Sequence, residues 1–214
     1  MTFNRYQTLV FDCDGVVLNS NKVKTEAFYK AALPYGEAAA QQLVDYHVAR
    51  GGISRYKKFD WFVQNVVADQ SGPDLEQLLA AYAAEVRQGL LQCEVAEGLA
   101  QLRENTSQAN WLIVSGGDQQ ELREIFAERG LAEFFDGGIF GSPDNKHEIL
   151  ARELATFNIK RPALFLGDSK YDLDAAQQAE LDFAYVSGWS EWHDAAASKQ
   201  YFATESDSIK SLVE

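Results

Sequence analysis

Four short apolar runs punctuate the chain: Leu9-Val10-Phe11, Trp111-Leu112-Ile113-Val114, Ala163-Leu164-Phe165-Leu166 and Phe183-Ala184-Tyr185-Val186. Each is continuous rather than alternating, the pattern of a strand buried on both faces of a parallel sheet. Between and after them, apolar residues recur at helical spacing over residues 96–104, 119–128, 146–157 and 171–179, with a last helix over 206–213. Residues 134–140 read as a short irregular or strand segment. Residues 22–91 have another character. Helical periodicity predicts helices over 22–33, 37–50, 56–68 and 75–91, broken by Pro34-Tyr35-Gly36 and Ser71-Gly72-Pro73-Asp74. The pattern therefore predicts an α/β fold: a Rossmann-like parallel sheet core from residues 1–18 and 92–214, with an all-helical subdomain inserted over 19–91.

Composition narrows the class without naming it. In 214 residues, 46% hydrophobic and 24% charged, there is enough apolar material for a sizeable core and no sign of wholesale disorder. A net charge of −13 excludes a nucleic-acid backbone or an anionic membrane surface as the default partner, and it demands that any phosphate site be locally positive. Cys13 and Cys93 alone make neither a disulfide framework nor a metal cluster. No 18-residue apolar stretch and no charged-then-apolar leader occurs, so the expected location is the cytoplasm. Oligomeric state is left open.

The chemistry sits where the apolar runs end. The first run stops on Asp12-Cys13-Asp14-Gly15, the second on Ser115-Gly116-Gly117-Asp118 and the third on Gly167-Asp168-Ser169, with Asp172 one helical turn further on. Lys146 opens the helix before the third run. Open α/β sheets hold their ligands at the carboxyl ends of the strands. If extended backbone persists through Cys13, Asp12 and Asp14 point the same way, and two such carboxylates need a cation or a shared proton between them. Asp118, Asp144 and Asp174 read as solvated or capping acids, and His47, His147 and His193 as structural.

Asp12-Cys13-Asp14-Gly15-Val16 with Asn19-Ser20, then Ser115, Lys146 and Asp168/Asp172 in that order, resembles the four motifs of the haloacid-dehalogenase-like phosphatase superfamily. The resemblance covers about 140 residues, with the helical insert where that superfamily's first cap type sits. It implies that Asp12 is the nucleophile and that Asp14 protonates the leaving alkoxide, then deprotonates the attacking water. It implies Mg²⁺ held by the Asp12 carboxylate, the Asp14 carbonyl and Asp168, with Asp172 orienting metal waters or Lys146. Ser115 and the Gly116 N–H would bind phosphoryl oxygens, and Lys146 would supply positive charge. The expected activity is hydrolysis of a small soluble phosphomonoester such as a phosphosugar.

Within the insert, Arg50-Gly51-Gly52-Ile53-Ser54-Arg55-Tyr56-Lys57-Lys58 is the densest basic cluster in an acidic chain. It predicts a loop that closes over the site, with Arg50, Gly51 and Arg55 as substrate-binding candidates. A phosphosugar mutase of the same superfamily is the main alternative, and a non-catalytic scaffold is the alternative from another class. Asp14 speaks against a dehalogenase and against a phosphonate hydrolase, for which Lys57 or Lys58 would have to form a Schiff base.

Overall fold

The computed structural model describes residues 3–213. Six strands form one parallel sheet: β1 (Thr8–Phe11), β2 (Asn110–Asp118), β3 (Gly138–Ser142), β4 (Ala163–Gly167), β5 (Asp182–Val186) and β6 (Thr204–Ser206). Their order is β3-β2-β1-β4-β5-β6. β1 is central, pairing Thr8 with Asn110 on one side and with Ala163 on the other. All four of its residues are buried, as are all five of β4. The order reverses between β1 and β4, and the crevice at such a switch point is where this architecture places ligands.

The helices follow the apolar periodicity. α1 (Asn21–Ala32), α2 (Glu37–Ala49), α3 (Arg55–Asn65) and α4 (Leu75–Gln92) come between β1 and β2 in the chain. α1 packs on α2 and α4, and α3 on α4. Their buried stripes repeat at i, i+3, i+4, i+7, as in Lys24, Ala27, Phe28 and Ala31 of α1. After them come α5 (Leu99–Asn105), α6 (Gln119–Glu128), α7 (Lys146–Ala155), α8 (Lys170–Gln178) and α9 (Ile209–Val213). One apolar cluster runs from Leu9 and Phe11 of the sheet into Phe28, Phe59 and Tyr82 of the helical segment. A second, with Val10, Leu112, Phe165 and Phe183, fills the other face. Among the described residues, no helix is long and apolar enough to cross a membrane.

Two expectations shift. The segment 134–140 resolves into a partly buried strand that starts later, at Gly138. The chain before α9 forms the edge strand β6, in register with β5 from Ala184–Thr204 to Val186–Ser206, so the last helix starts at Ile209 rather than Ser206. Thr-Glu-Ser on a sheet edge carries no apolar signal that periodicity could detect.

Candidate active site

The site is built on residues just past the ends of β1 and β4. The Asp12 N–H still donates to the Leu166 carbonyl of β4, at 2.9 Å, which fixes the first carboxylate beside the switch point. Asp12 Oδ1 accepts from its neighbour Cys13 N, at 2.7 Å, and pairs with Lys146 Nζ at 2.8 Å. No described residue donates to Oδ2. Lys146 is the first residue of α7, held there by a capping box between Asn145 and Glu148. It is fully buried, and Nζ also donates to Asp172 Oδ1 at 2.5 Å. Asp172 Oδ2 in turn accepts from the Ser169 hydroxyl at 2.7 Å and the Ser169 N–H at 3.1 Å, capping α8. The lysine is thus clamped between two carboxylates that the backbone itself positions.

Asp168, one residue past β4, accepts at Oδ2 from Asn21 Nδ2, at 2.8 Å. Gly15, at φ +73°, passes so close that a Cβ there would lie 2.0 Å from Asp168 Oδ2, so the turn behind Asp14 needs glycine. Oxygens of Asp12, Asp168 and Asp172 lie within 4.8 Å of one another. Burial, aided by Asp12 and Asp172, pushes the Asp168 carboxyl well above the usual carboxylate range. Burial also outweighs Lys146 at Asp12, which is raised to about 7. For Lys146 the order inverts: burial disfavours its charge, but Asp12 and Asp172 overcome this and raise it. Fully ionised, the carboxylates of Asp12, Asp14, Asp168 and Asp172 would outnumber the ammoniums of Lys24 and Lys146 by two. An all-oxygen donor set with an excess of two negative charges fits a hard divalent cation. Asp12 and Asp168 have lone pairs to offer it, while the Asp172 oxygens are already engaged.

At Asp14 the extended backbone does not persist. The chain turns at Cys13, whose carbonyl accepts from Val17 N and Leu18 N. The Asp14 carboxylate still borders the cavity but forms a salt bridge with Lys24 and accepts from Ser20 Oγ at 2.6 Å. Burial would raise its pKa, and Lys24 and Ser20 together reverse that to a net lowering.

Ser115 is fully buried, accepts from Gly117 N at 3.0 Å and is not part of the cavity wall, whereas Gly116 is. A Cβ at Gly116 would sit 2.1 Å from the Gly52 carbonyl oxygen, so the glycine lets the 50–53 loop lie directly on this strand end. A cavity of about 770 Å³ opens between the two, with Asp12, Asp14 and Asp168 on the sheet side. Arg50, Gly51 and Arg55 border the helical side. Arg55 is 7% exposed; its guanidinium is committed to a salt bridge with Glu121 and lies 4.6 Å over the Tyr82 ring. Arg50 stacks at 4.2 Å on Tyr46 and has no carboxylate partner among the described residues. Asp118 caps α6 at Glu121 N, Asp144 pairs with Arg152 and Asp174 with Lys170.

Asn21 and Lys24 of this wall escaped the sequence reading, His47 was read as structural, and Lys58 was named only within the basic cluster and as a Schiff-base option. The signal was available. Lys24 lies on the buried stripe of α1, His47 with Leu43 on that of α2, and Lys58 between Arg55, Phe59 and Phe62 on that of α3. A cation at a core position of an amphipathic helix is rarely buried without a purpose.

The sequence matches the family model of haloacid dehalogenase-like hydrolases over residues 6–180, and the chain belongs to that family. No curated protein matches it in sequence. Among solved structures, a predicted phosphoglycolate phosphatase from Haemophilus somnus superposes with a TM-score of 0.76 at 14% identity, covering 99% of this chain and 98% of that one. CbbY from Rhodobacter sphaeroides, solved with phosphate, gives 0.73 at 17% identity over 97% and 96% of the two chains. A candidate beta-phosphoglucomutase from Thermotoga maritima gives 0.68 at 18%, again over 97% and 96%. At these identities the likeness is one of fold.

Proposed function

We propose that this haloacid dehalogenase-like hydrolase is a Mg²⁺-dependent phosphatase acting on a small phosphomonoester through a phosphoaspartate on Asp12. The observation that carries the reading is the clamp Asp12–Lys146–Asp172, which leaves Asp12 Oδ2 as the one oxygen of the pair without a donor. That oxygen attacks phosphorus while the bond to the leaving alkoxide breaks, and water then cleaves the acyl phosphate to restore the carboxylate. Lys146 opposes the charge of the attacking carboxylate and the phosphoryl group. Gly116 offers backbone N–H at the strand end. Asp12 and Asp168 would hold the Mg²⁺, which when bound supplies charge neutralisation for nucleophile and phosphate. Asp14 serves as the proton donor and acceptor once it is released from Lys24.

The helical segment 19–91 acts in this reading as a cap, and the 50–53 loop seated on Gly116 excludes water from the reacting groups. CbbY has been solved with xylulose-1,5-bisphosphate, which is a phosphorylated small molecule of the expected size class. The test is phosphate release from a panel of metabolite monoesters, with Mg²⁺ and with excess chelator. Turnover that vanishes with chelator supports the reading; turnover that ignores it removes the cation from it.

A phosphosugar mutase is the second reading, favoured by one observation. With Asp14 bound to Lys24 and Ser20, the group that would activate water is engaged elsewhere. Release of Asp14 only when a sugar phosphate fills the cavity would reserve it for the sugar hydroxyl and spare the phosphoenzyme from water. Activity that requires a bisphosphate primer would select the mutase.

A further inference from the structure

The helical wall of the cavity buries more positive charge than it neutralises. Lys24 is paired with Asp14, and Arg55 with Glu121. Lys58, 1% exposed, has no carboxylate partner among the described residues. Its bond runs instead to His47 Nδ1, 2.7 Å away. When Lys58 is charged its ammonium can only donate, so Nδ1 accepts and the imidazole proton then belongs on Nε2. That nitrogen is buried and has no hydrogen-bond partner among the described residues. His47 is itself 8% exposed and packs on Phe28 with ring centroids 4.5 Å apart. Lys58 Nζ lies 5.5 Å from the same ring. A buried amine and a buried imidazole therefore share an apolar setting on one wall of the cavity, and neither meets an acidic partner. A buried ammonium left in that state is costly, and an anionic oxygen beside Nζ satisfies it, with His47 holding the lysine in place through Nδ1.

We infer that Lys58, positioned by His47, forms a subsite for a second acidic group of the substrate, a carboxylate or a phosphate on the part that leaves. The preferred substrate is then a small phosphomonoester acidic at both ends. This inference rests on the phosphatase reading and names its substrate class. The sheet wall takes the phosphoryl group that reacts, and the helical wall takes the anion that does not. Burial, with Lys24 second, pushes the Lys58 ammonium down to about 7, and an anion beside it restores the charge. Asp14 and Glu191 favour that charge from a distance without forming an ion pair with it.

The experiment compares three probes: phosphoglycolate for the carboxylate arm, 1,3-propanediol bisphosphate for the phosphate arm, and ethyl phosphate as the singly acidic control. Binding to the Asp12→Asn chain is measured by calorimetry with Mg²⁺, and kcat and KM are measured on the chain with Asp12 intact. At least one doubly acidic probe is expected to bind roughly 10- to 100-fold more tightly than ethyl phosphate, the range of one charge-assisted bond. Which arm wins distinguishes a carboxylate from a phosphate. Lys58→Met removes most of that preference and raises KM far more than it lowers kcat, and His47→Gln removes a smaller part. If Lys58→Met does not fold, His47→Gln carries the same comparison. Equal affinity of all three probes for the unaltered subsite would overturn the inference. So would a Lys58→Met loss as large on ethyl phosphate as on the acidic esters. Release of phosphate without any preference sinks the subsite alone. Binding preference without any release sinks the phosphatase reading and leaves the subsite standing.

Discussion

The two walls of the cavity solve the problem of buried charge in opposite ways. On the sheet side, carboxylates gather at strand ends and exceed their ammonium partners, so Asp12 and Asp168 are raised by burial and mutual repulsion. On the helical side, cations sit on apolar stripes; two of them borrow carboxylates from elsewhere, and Lys58 has none. The first wall lacks a cation and the second lacks an anion. A phosphate ester bound with a divalent ion supplies both. The contrast also divides labour. In the proposed reading, the chemistry falls to residues at strand ends, whose geometry the sheet imposes, and selection among substrates to the helices, whose side chains can vary without disturbing the sheet.

The sharpest way to break this contrast is at Lys146. Lys146→Met leaves Asp12 and Asp172 buried without their shared cation, and phosphate release should fall by roughly 10²- to 10³-fold. Urea unfolding should show a loss of about 3–5 kcal/mol at neutral pH, the cost of orphaning a buried partner. Lys24→Met tests the bridge between the walls, with an expected loss of roughly 3 kcal/mol at pH 7. The sign follows from Asp14. Its folded pKa is lowered, so its stabilisation is present above the unfolded carboxylate pKa and is lost as pH falls through the folded value. Denaturation of the two proteins side by side should therefore show the gap closing below about pH 4.

The carboxylate excess predicts a pH-dependent cation affinity. Asp12 is raised to about 7 and Asp168 is raised as well, so protons compete with Mg²⁺ on the acid side. Calorimetry should show affinity dropping by up to about tenfold per pH unit below 7, with proton release on binding. A flat profile would mean that these carboxylates do not hold the ion. Gly52→Ala sharpens the comparison at the seam. The φ of +80° and a Cβ 2.8 Å from the Tyr171 ring make alanine cost about 1–2 kcal/mol, and KM should rise as the loop lifts from Gly116. Arg50→Ala should have the smallest effect, below about threefold in kcat/KM, because this exposed side chain has only Tyr46 as its stacking partner.

The sheet wall was legible because its signals are local. Apolar runs that stop on Asp12 and Asp168 mark both strand and cavity, and Lys146 follows an Asn that caps its helix, whereas β2 continues through Ser115, which lies off the cavity wall. Asp14 borders the same cavity as Asp12, but its pairing was not legible, since nothing in Asp-Cys-Asp-Gly shows that the backbone turns at Cys13 or that a lysine ten residues on meets the carboxylate. The helical wall was legible only in outline. The basic loop around Gly51 does border the cavity, yet Arg55 proved committed to Glu121, a partner 66 residues away. Lys24, His47 and Lys58 are visible as polar residues on apolar stripes, but their meeting point depends on how α1, α2 and α3 cross. Periodicity fixes a face of one helix and says nothing of which face of another it meets. β6 was missed for the opposite reason, because a three-residue edge strand has too little burial to mark its sequence.

The central claim is that Asp12 becomes phosphorylated and that the other residues exist to allow it. The direct measurement is acid quench during turnover on the best monoester, followed by borohydride reduction and peptide sequencing. A phosphoaspartate at Asp12 would be reduced to homoserine at that position, and the signal should be absent when substrate is omitted. Homoserine at no position, from a chain that is turning over and quenched within one cycle, would mean that water attacks phosphorus directly and that Asp12 is not the nucleophile.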